Sequence, residues 1–393
     1  MTTPQAIRQL NERRVLGALF RSKGMSRAEL ARTFNLTRST TGYLVQDLIN
    51  AGLLRERLDD IPENEGKLGR PGILVEIAPD GAFFVGADIG VDRIRAVAID
   101  LSATLRHEAS RPFVGRGCTP EDAAAVTAEV VRDVRGRLSE GSAVRGLSVA
   151  IPGFLAADER SYHASLLGWH GVDIVRVLGE HLGTELPILV ENDANAFAFE
   201  ETYLQGEDAS DALVVHIENG VGGGIISGGR IHRGRLRGAG EIGHMRIGEE
   251  GYVFDSQRPG RFESYVGKEA LLARYRYYGG RGTGLEDLAA AVSEGEYAAR
   301  RALDDWARRL AHGLSILVSV LEPQRIILGG SVGSLYDHVA AEVETLISAQ
   351  LPEGYPMPTV ERSKLSEAGP AVGGAYLLHQ AMLSMGEQFS VPP

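Results

Sequence analysis

The segment Phe83-Phe84-Val85-Gly86-Ala87-Asp88-Ile89-Gly90, with the apolar run Ile94–Asp100 close behind it, has a counterpart about 130 residues further on. There, Leu213-Val214-Val215-His216-Ile217-Glu218-Asn219-Gly220 is followed by Gly222–Ser227. Both are runs of strand-favouring residues broken by a glycine turn, the pattern of a β-hairpin. Behind the first hairpin, periodicity predicts helices over 120–138, 172–183 and 193–205; behind the second, over 263–278, 295–321 and 370–386. Short apolar runs predict strands near 145–151, 187–191 and 325–329. This repetition constrains the chain to a duplicated α/β fold with a central cleft between its halves. Ligands of such folds bind in that cleft, at strand ends and loops.

At 393 residues the chain exceeds one hydrophobic core and calls for two or three domains. Its charge is unevenly spread. Residues 1–78 carry 12 Lys/Arg against 9 Asp/Glu, and the remainder carries 29 against 43, so a small basic module precedes an acidic body. Within 5–22, Ile7, Leu10, Val15, Leu16, Leu19 and Phe20 fall along one helical face. Ser26-Arg27-Ala28-Glu29 fits a capping box and opens a short helix over 26–33. After the turn at Asn35-Leu36, Thr37 can cap a third helix that buries Thr41, Leu44, Leu48 and Ile49 and stops at Gly52.

Strands near 53–58 and 73–77, with Lys67-Leu68-Gly69-Arg70-Pro71-Gly72 between them, complete a winged helix-turn-helix. In that geometry the third helix enters the major groove, which makes Arg38, Ser39, Thr40 and Tyr43 the candidate DNA contacts. Lys67 and Arg70 belong to the wing or linker, from which an arginine can enter a narrow A·T minor groove. The expected partner is a palindromic, A·T-rich operator read by a homodimer or a dimer of dimers. A helical protein-interaction module is the plainer alternative.

No apolar run reaches the roughly 18 residues of a membrane span, and the first residues lack a signal-peptide core. The single cysteine, Cys118, leaves no internal disulfide and points to a reducing compartment. A cytoplasmic protein with no membrane partner is expected.

Five segments carry a family resemblance: Gly86-Ala87-Asp88-Ile89-Gly90, Gly168-Trp169-His170-Gly171-Val172, Glu191-Asn192-Asp193-Ala194-Asn195-Ala196, Gly222-Gly223-Gly224-Ile225-Ile226 and Gly238-Ala239-Gly240-Glu241-Ile242-Gly243-His244-Met245. The body they span resembles the ROK family of repressors, open reading frames and sugar kinases, which has the actin-like ATPase (ribonuclease H-like) fold. Repressors of the family, of the NagC and Mlc type, have an N-terminal module like this one, and its kinases usually lack it. The resemblance implies domains at 1–78 (winged helix with its Gly-Arg-Pro linker), at 79–200 plus 370–393 (first lobe), and at 201–369 (second lobe, with the sugar-site loop and dimerisation helices).

It also implies a sugar site made by Asn192, Asp193, Glu241, His244 and Glu263. The chemistry suits such a ligand: carboxylates accept from vicinal hydroxyls, an amide donates and accepts, and imidazole can do either. A structural reading remains open, in which Asn192 caps the 193–205 helix, Asp193 serves its first turn and His244 is a satisfied core histidine. Ser165 stands where many relatives have asparagine.

Family kinases bind ATP phosphates between two glycine turns. Here Val91-Asp92 follows Asp88-Ile89-Gly90, and Glu218-Asn219-Gly220 opens the second turn. Two carboxylates facing a polyphosphate are unfavourable, so no catalytic residue, nucleotide or other cofactor is expected. Gly329-Gly330-Ser331 resembles an adenosine-side loop, which a helix start explains equally well. Many members also have a zinc loop, but its cysteine positions are occupied here by Phe254, Ser256 and Arg261, so no metal is expected. Packing by Tyr252 and Phe254 is expected to hold the loop instead. The chain therefore reads as a repressor responding to a sugar or sugar phosphate. A sugar kinase with a regulatory head, and a regulator controlled by a protein partner, are its rivals.

Overall fold

A computed structural model of the chain describes residues 4–58, 73–156, 158, 160–183, 186–205, 211–235, 237–253, 258–365 and 368–384. The head consists of α1 (Pro4–Ser22), β1 (Met25–Ser26), α2 (Arg27–Phe34), α3 (Arg38–Asn50), β2 (Leu54–Leu58) and β3 (Ile73–Ile77). Its local signals act as read. Ser26 and Glu29 form the capping box of α2, and the Thr37 hydroxyl accepts the Thr40 N–H at the start of α3. Just past α3, Gly52 takes φ +73°, a left-handed conformation that costs glycine little. Strands β2 and β3 pair antiparallel as the wing, and the two-residue β1 adds to β3. A strand that short leaves no period to detect. Lys67 and Arg70 lie outside the described residues.

The first half of the body runs β4 (Phe83–Ile89), β5 (Arg93–Asp100), β6 (Leu105–Pro112), α4 (Pro120–Gly136), β7 (Val144–Ile151), β8 (Phe154–Leu155), β9 (Tyr162–Ala164), β10 (Trp169–Val172), α5 (Ile174–Leu182), β11 (Ile188–Asn192) and α6 (Asp193–Tyr203). The second half runs β12 (Ala212–Ile217), β13 (Val221–Ser227), β14 (Arg230–Ile231), α7 (Glu263–Val266), α8 (Lys268–Tyr277), α9 (Leu285–Ser293), α10 (Tyr297–Leu321), β15 (Arg325–Gly329), α11 (Gly330–Gly333), α12 (Ala340–Gln350), β16 (Thr359–Arg362) and α13 (Gly369–Leu383).

The sheets have strand orders β11-β7-β4-β5-β6 and β14-β13-β12-β15-β16. Each is a three-stranded antiparallel meander extended by two parallel strands on the far side of its first strand. The halves therefore share one topology, as the paired hairpins led us to expect. Among the described residues no helix is long and apolar enough to cross a membrane.

Several elements depart from expectation. The helix expected over 263–278 is broken into α7 and α8 at Gly267, against which the second hairpin turn packs. A Cβ there would stand 2.9 Å from Glu263 O and 3.2 Å from Asn219 O. Helices α9 and α12 and the small β8–β10 sheet were not anticipated from the sequence.

Helix α13 packs on β4, β5 and β7 of the first sheet, while α6 packs on β12 and β13 of the second, and the two helices lie against each other. Their backbones meet at Gly373, where any Cβ would collide with Ala196 O. The head joins this seam. Val15, Leu16 and Leu19 of α1 share a buried core with Leu377 and Leu383 of α13. The Phe20 ring lies 4.8 Å from His379 of α13 and 6.1 Å from Tyr203 at the end of α6. His379 is fully buried, and burial pushes it down to about 4, so its imidazole is neutral. Its Nε2 lies 2.9 Å from Leu101 O, which can only accept, so Nδ1 is left to accept the Tyr203 hydroxyl at 2.6 Å.

Candidate functional site

A cleft of about 520 Å³ lies between the halves and is lined from both. Asp88 comes from the end of β4, Asn192 and Asp193 from the junction of β11 and α6, and His216 to Gly222 from the second hairpin. Glu241, His244 and Glu263 close one end of it. The structure thus brings together all five residues expected at a sugar site, although the sequence separates the first from the last by about 70 positions.

These five spend their bonding capacity unequally. Asn192 does cap α6: its Oδ1 accepts the Asn195 N–H at 3.0 Å, and its Nδ2 donates to Gly153 O at 2.9 Å. An amide has two donors and two lone pairs, so half its capacity remains. Asp193 Oδ1 accepts the Ala194 N–H at 2.8 Å. Burial pushes its carboxyl up, while His216 and that N–H pull it down. Glu241 is raised to about 7, by burial first and then by the charges of Asp193 and Glu263. His244 stands 3.8 Å from Glu241 and 3.7 Å from Glu263, too far for a hydrogen bond to either. Burial, then Arg261 and Arg258, hold His244 below its ordinary value. A neutral imidazole at that spacing from two carboxylates has no room for an atom between them, but a hydroxyl entering from the cleft side meets an imidazole nitrogen and a carboxylate together.

The carboxylates of the two hairpin turns are arranged differently. The sequence reading set Asp92 and Glu218 against an incoming polyphosphate, but both carboxylates bond within the chain. Asp92 Oδ2 accepts from Lys268 Nζ at 2.7 Å and from Asn219 Nδ2 at 3.0 Å. Burial pushes this carboxyl up, but the Lys268 and Asn219 bonds outweigh it and hold it below the usual carboxylate range. Glu218 accepts the Ser331 N–H and the Ser331 hydroxyl, each at 2.6 Å. Asp88, in contrast, is driven up to about 8 by burial and by the Asp193 charge, with Arg95 opposing.

His216 and Asp88 were not among the expected site residues, yet both line the cleft. His216 lies opposite Gly222 across the β12–β13 pair, and its buried Nδ1 has no hydrogen-bond partner. Its place at an inward strand position was the only sequence signal. Among the described residues no group of three or more His, Cys, Asp or Glu is arranged to hold a metal. In the loop before α7, Tyr252 packs edge-to-face on Tyr265 at 5.2 Å, and the Arg274 guanidinium covers its ring at 4.5 Å. Arg261 donates to Glu263 at 3.3 Å, whereas Phe254 and Ser256 lie outside the described residues. Far from the cleft, Arg38, Ser39 and Thr40 are exposed at the start of α3, with Tyr43 74% exposed one turn on. Thr40 is partly committed, since its hydroxyl lies 2.8 Å from that of Thr37.

A winged helix-turn-helix fused to a duplicated α/β body with a polar interlobe cleft defines a DNA-binding regulator built on a sugar-kinase scaffold. The family model described as ROK family matches residues 84–381, and one described as MarR family matches residues 8–60. The chain belongs to the ROK family. It is 23% identical over 385 residues to the xylose repressor of Bacillus subtilis (strain 168), covering 96% of this chain and 97% of that protein. It is 28% identical over 344 residues to transcriptional regulator Rv0485 of Mycobacterium tuberculosis (strain ATCC 25618 / H37Rv), covering 83% of this chain and 75% of that one.

Among solved structures, a ROK family transcriptional regulator described as a homolog of E. coli MLC protein matches with TM-score 0.76 at 21% identity, over 96% of this chain and 97% of its own. A ROK family glucokinase from Streptomyces griseus, in complex with glucose and AMPPNP, matches with TM-score 0.66 at 24% identity, over 76% of this chain and 99% of its own. The protein is a ROK-family transcriptional regulator of the repressor type with a MarR-type DNA-binding head.

Proposed function

We propose that this repressor senses a monosaccharide in the interlobe cleft through Asn192, Asp193, Glu241, His244 and Glu263, and that it has no phosphotransferase activity. The observation that carries this reading is a contrast within the cleft. Asn192, Glu241 and His244 keep bonding capacity for a ligand, while the groups facing a kinase's phosphate position are bonded to the chain itself. Ligand and operator communicate through α6, which begins at Asp193 and ends at Tyr203, stacked on Phe20 of the head. Eleven residues of helix span about 16 Å, so a shift at the cleft is delivered to the head by one rigid element.

The acting unit is a dimer on a palindromic operator, with Arg38, Ser39, Thr40 and Tyr43 in the major groove and Lys67 and Arg70 of the wing toward A·T-rich minor groove. The relatives' name makes D-xylose the first effector to try. A thermal-shift screen over monosaccharides, polyols and sugar phosphates, followed by operator gel shifts with each hit, tests the reading. A sugar that raises the melting temperature and changes operator affinity supports it; ADP production with that sugar well above background would return the chain to the kinases. Arg38→Ala and Arg70→Ala are expected to weaken operator binding without changing sugar affinity, Arg70→Ala more so on A·T-flanked sites.

A further inference from the structure

Asp92 sits in the turn between β4 and β5, and both of its donors, Lys268 and Asn219, belong to the other half of the body. Its two bonds therefore clasp the halves together across the cleft. Leu166, also from the first half, adds an apolar contact at the same place, filling the space beside Gly220 where a Cβ would stand 2.8 Å from it. Glu218, at the mouth of the second hairpin, takes both donors of Ser331. An ammonium, an amide, a backbone N–H and a hydroxyl are groups that bind phosphate oxygens, and a carboxylate presents them with the same anionic oxygens.

We propose that Asp92 and Glu218 are internal stand-ins for phosphate groups, which close the two hairpin turns without nucleotide and restrict the cleft to an uncharged sugar, excluding its phosphate esters. This rests on the sugar-sensor reading and narrows it. Eight carboxylates line the cleft against three fixed cations, two of which are paired with carboxylates. Lys268 is held by Asp92, Arg95 pairs with Glu108 at 3.1 Å, and Arg93 donates to Ser110 at 3.3 Å. The Asp88 carboxyl, raised to about 8, already takes up a proton rather than add another charge to the cleft. A phosphate ester would bring between one and two further negative charges into a lining where carboxylates already outnumber fixed cations.

Calorimetry with inorganic tripolyphosphate, and with D-xylose and D-glucose beside D-xylose 5-phosphate and D-glucose 6-phosphate, tests this on the full-length protein. The wild type is expected to show no tripolyphosphate binding, and whichever sugar binds should do so at least about tenfold more tightly than its ester. Asp92→Asn combined with Glu218→Gln should gain tripolyphosphate binding, by about tenfold or more over the wild-type detection limit. Adding Lys268→Met should abolish the gain, which a general loosening of the cleft would not do. Asp92→Asn alone, on an exposed turn and checked by circular dichroism, should move the same way by a smaller factor and covers the case in which the double variant misfolds. A wild-type protein that prefers tripolyphosphate or a sugar phosphate, or folded variants without any gain, would overturn the proposal. If no sugar binds, the sensor reading and the uncharged-sugar restriction both fall, while the tripolyphosphate measurement still decides whether the carboxylates act as phosphate stand-ins.

Discussion

Among the groups proposed to hold sugar, His244 stands 3.8 and 3.7 Å from the carboxylates of Glu241 and Glu263, and Glu241 is raised to about 7. At the two hairpin turns, Glu218 holds Ser331 through two bonds of 2.6 Å, and Asp92 is bonded to Lys268 and Asn219 and held below its ordinary value. Both sets are built from carboxylates in a cavity of lowered dielectric, where an ionised group without partners is costly. The hairpin-turn carboxylates meet that cost with donors from the chain, as Glu263 does in part through Arg261, whereas burial and neighbouring charges raise Glu241 toward its neutral form. A carboxylate's role is therefore read from its partners more than from its identity.

The comparison breaks most directly at Asp193. Replacing it with Asn removes charge-assisted bonds to sugar hydroxyls worth roughly 1.5–3 kcal/mol, a ten- to hundredfold loss of effector affinity by calorimetry, with operator binding retained. Wild-type effector sensitivity in the variant would take Asp193 out of the site. Next in size is Glu218→Ala, which strands both Ser331 donors and should destabilise the apo protein by about 1–3 kcal/mol in denaturant melts. An equal loss from Glu241→Gln would erase the distinction between spent and unspent groups, since relieving a buried, raised carboxylate should instead stabilise the apo protein.

Phe20→Ala asks whether the sugar site alone speaks to the head. It removes the ring that stacks on Tyr203 and meets His379 edge-on, so operator affinity without effector should persist while the effector's influence on it shrinks by about fivefold in gel shifts. The smallest effect expected is a pH slope. Glu241 binds more protons folded than unfolded between its ordinary value of 4.5 and about 7, and Asp88 does so between 3.8 and about 8. Apo stability should therefore fall as pH rises through that window, and Glu241→Gln should flatten the decline in apparent melting temperature between pH 5 and 8.

Much of this protein is determined locally. The capping box at Ser26 and Glu29, the Thr37 cap and the left-handed Gly52 are set by side chains within four residues of the backbone groups they serve, so they were legible in the string of residues. The paired hairpins likewise foretold two sheets of one topology, because glycine turns and strand-forming runs are short-range signals. The five residues proposed to hold sugar were marked by their resemblance to family motifs, and the fold gathers them along one cleft.

Only the tertiary structure decided what those residues meet. Lys268 is 176 positions from Asp92, Ser331 is 113 from Glu218, and His379 is 176 from Tyr203. The sequence supported a reading of Asp92 and Glu218 as charges repelling phosphate, and the fold supplies them with donors from the opposite half and from α11, respectively. The break at Gly267 and the cleft position of His216 have the same origin. Periodicity fixes which way a side chain points relative to its own strand or helix, whereas its partner is chosen by how two distant elements pack, and no local pattern encodes that.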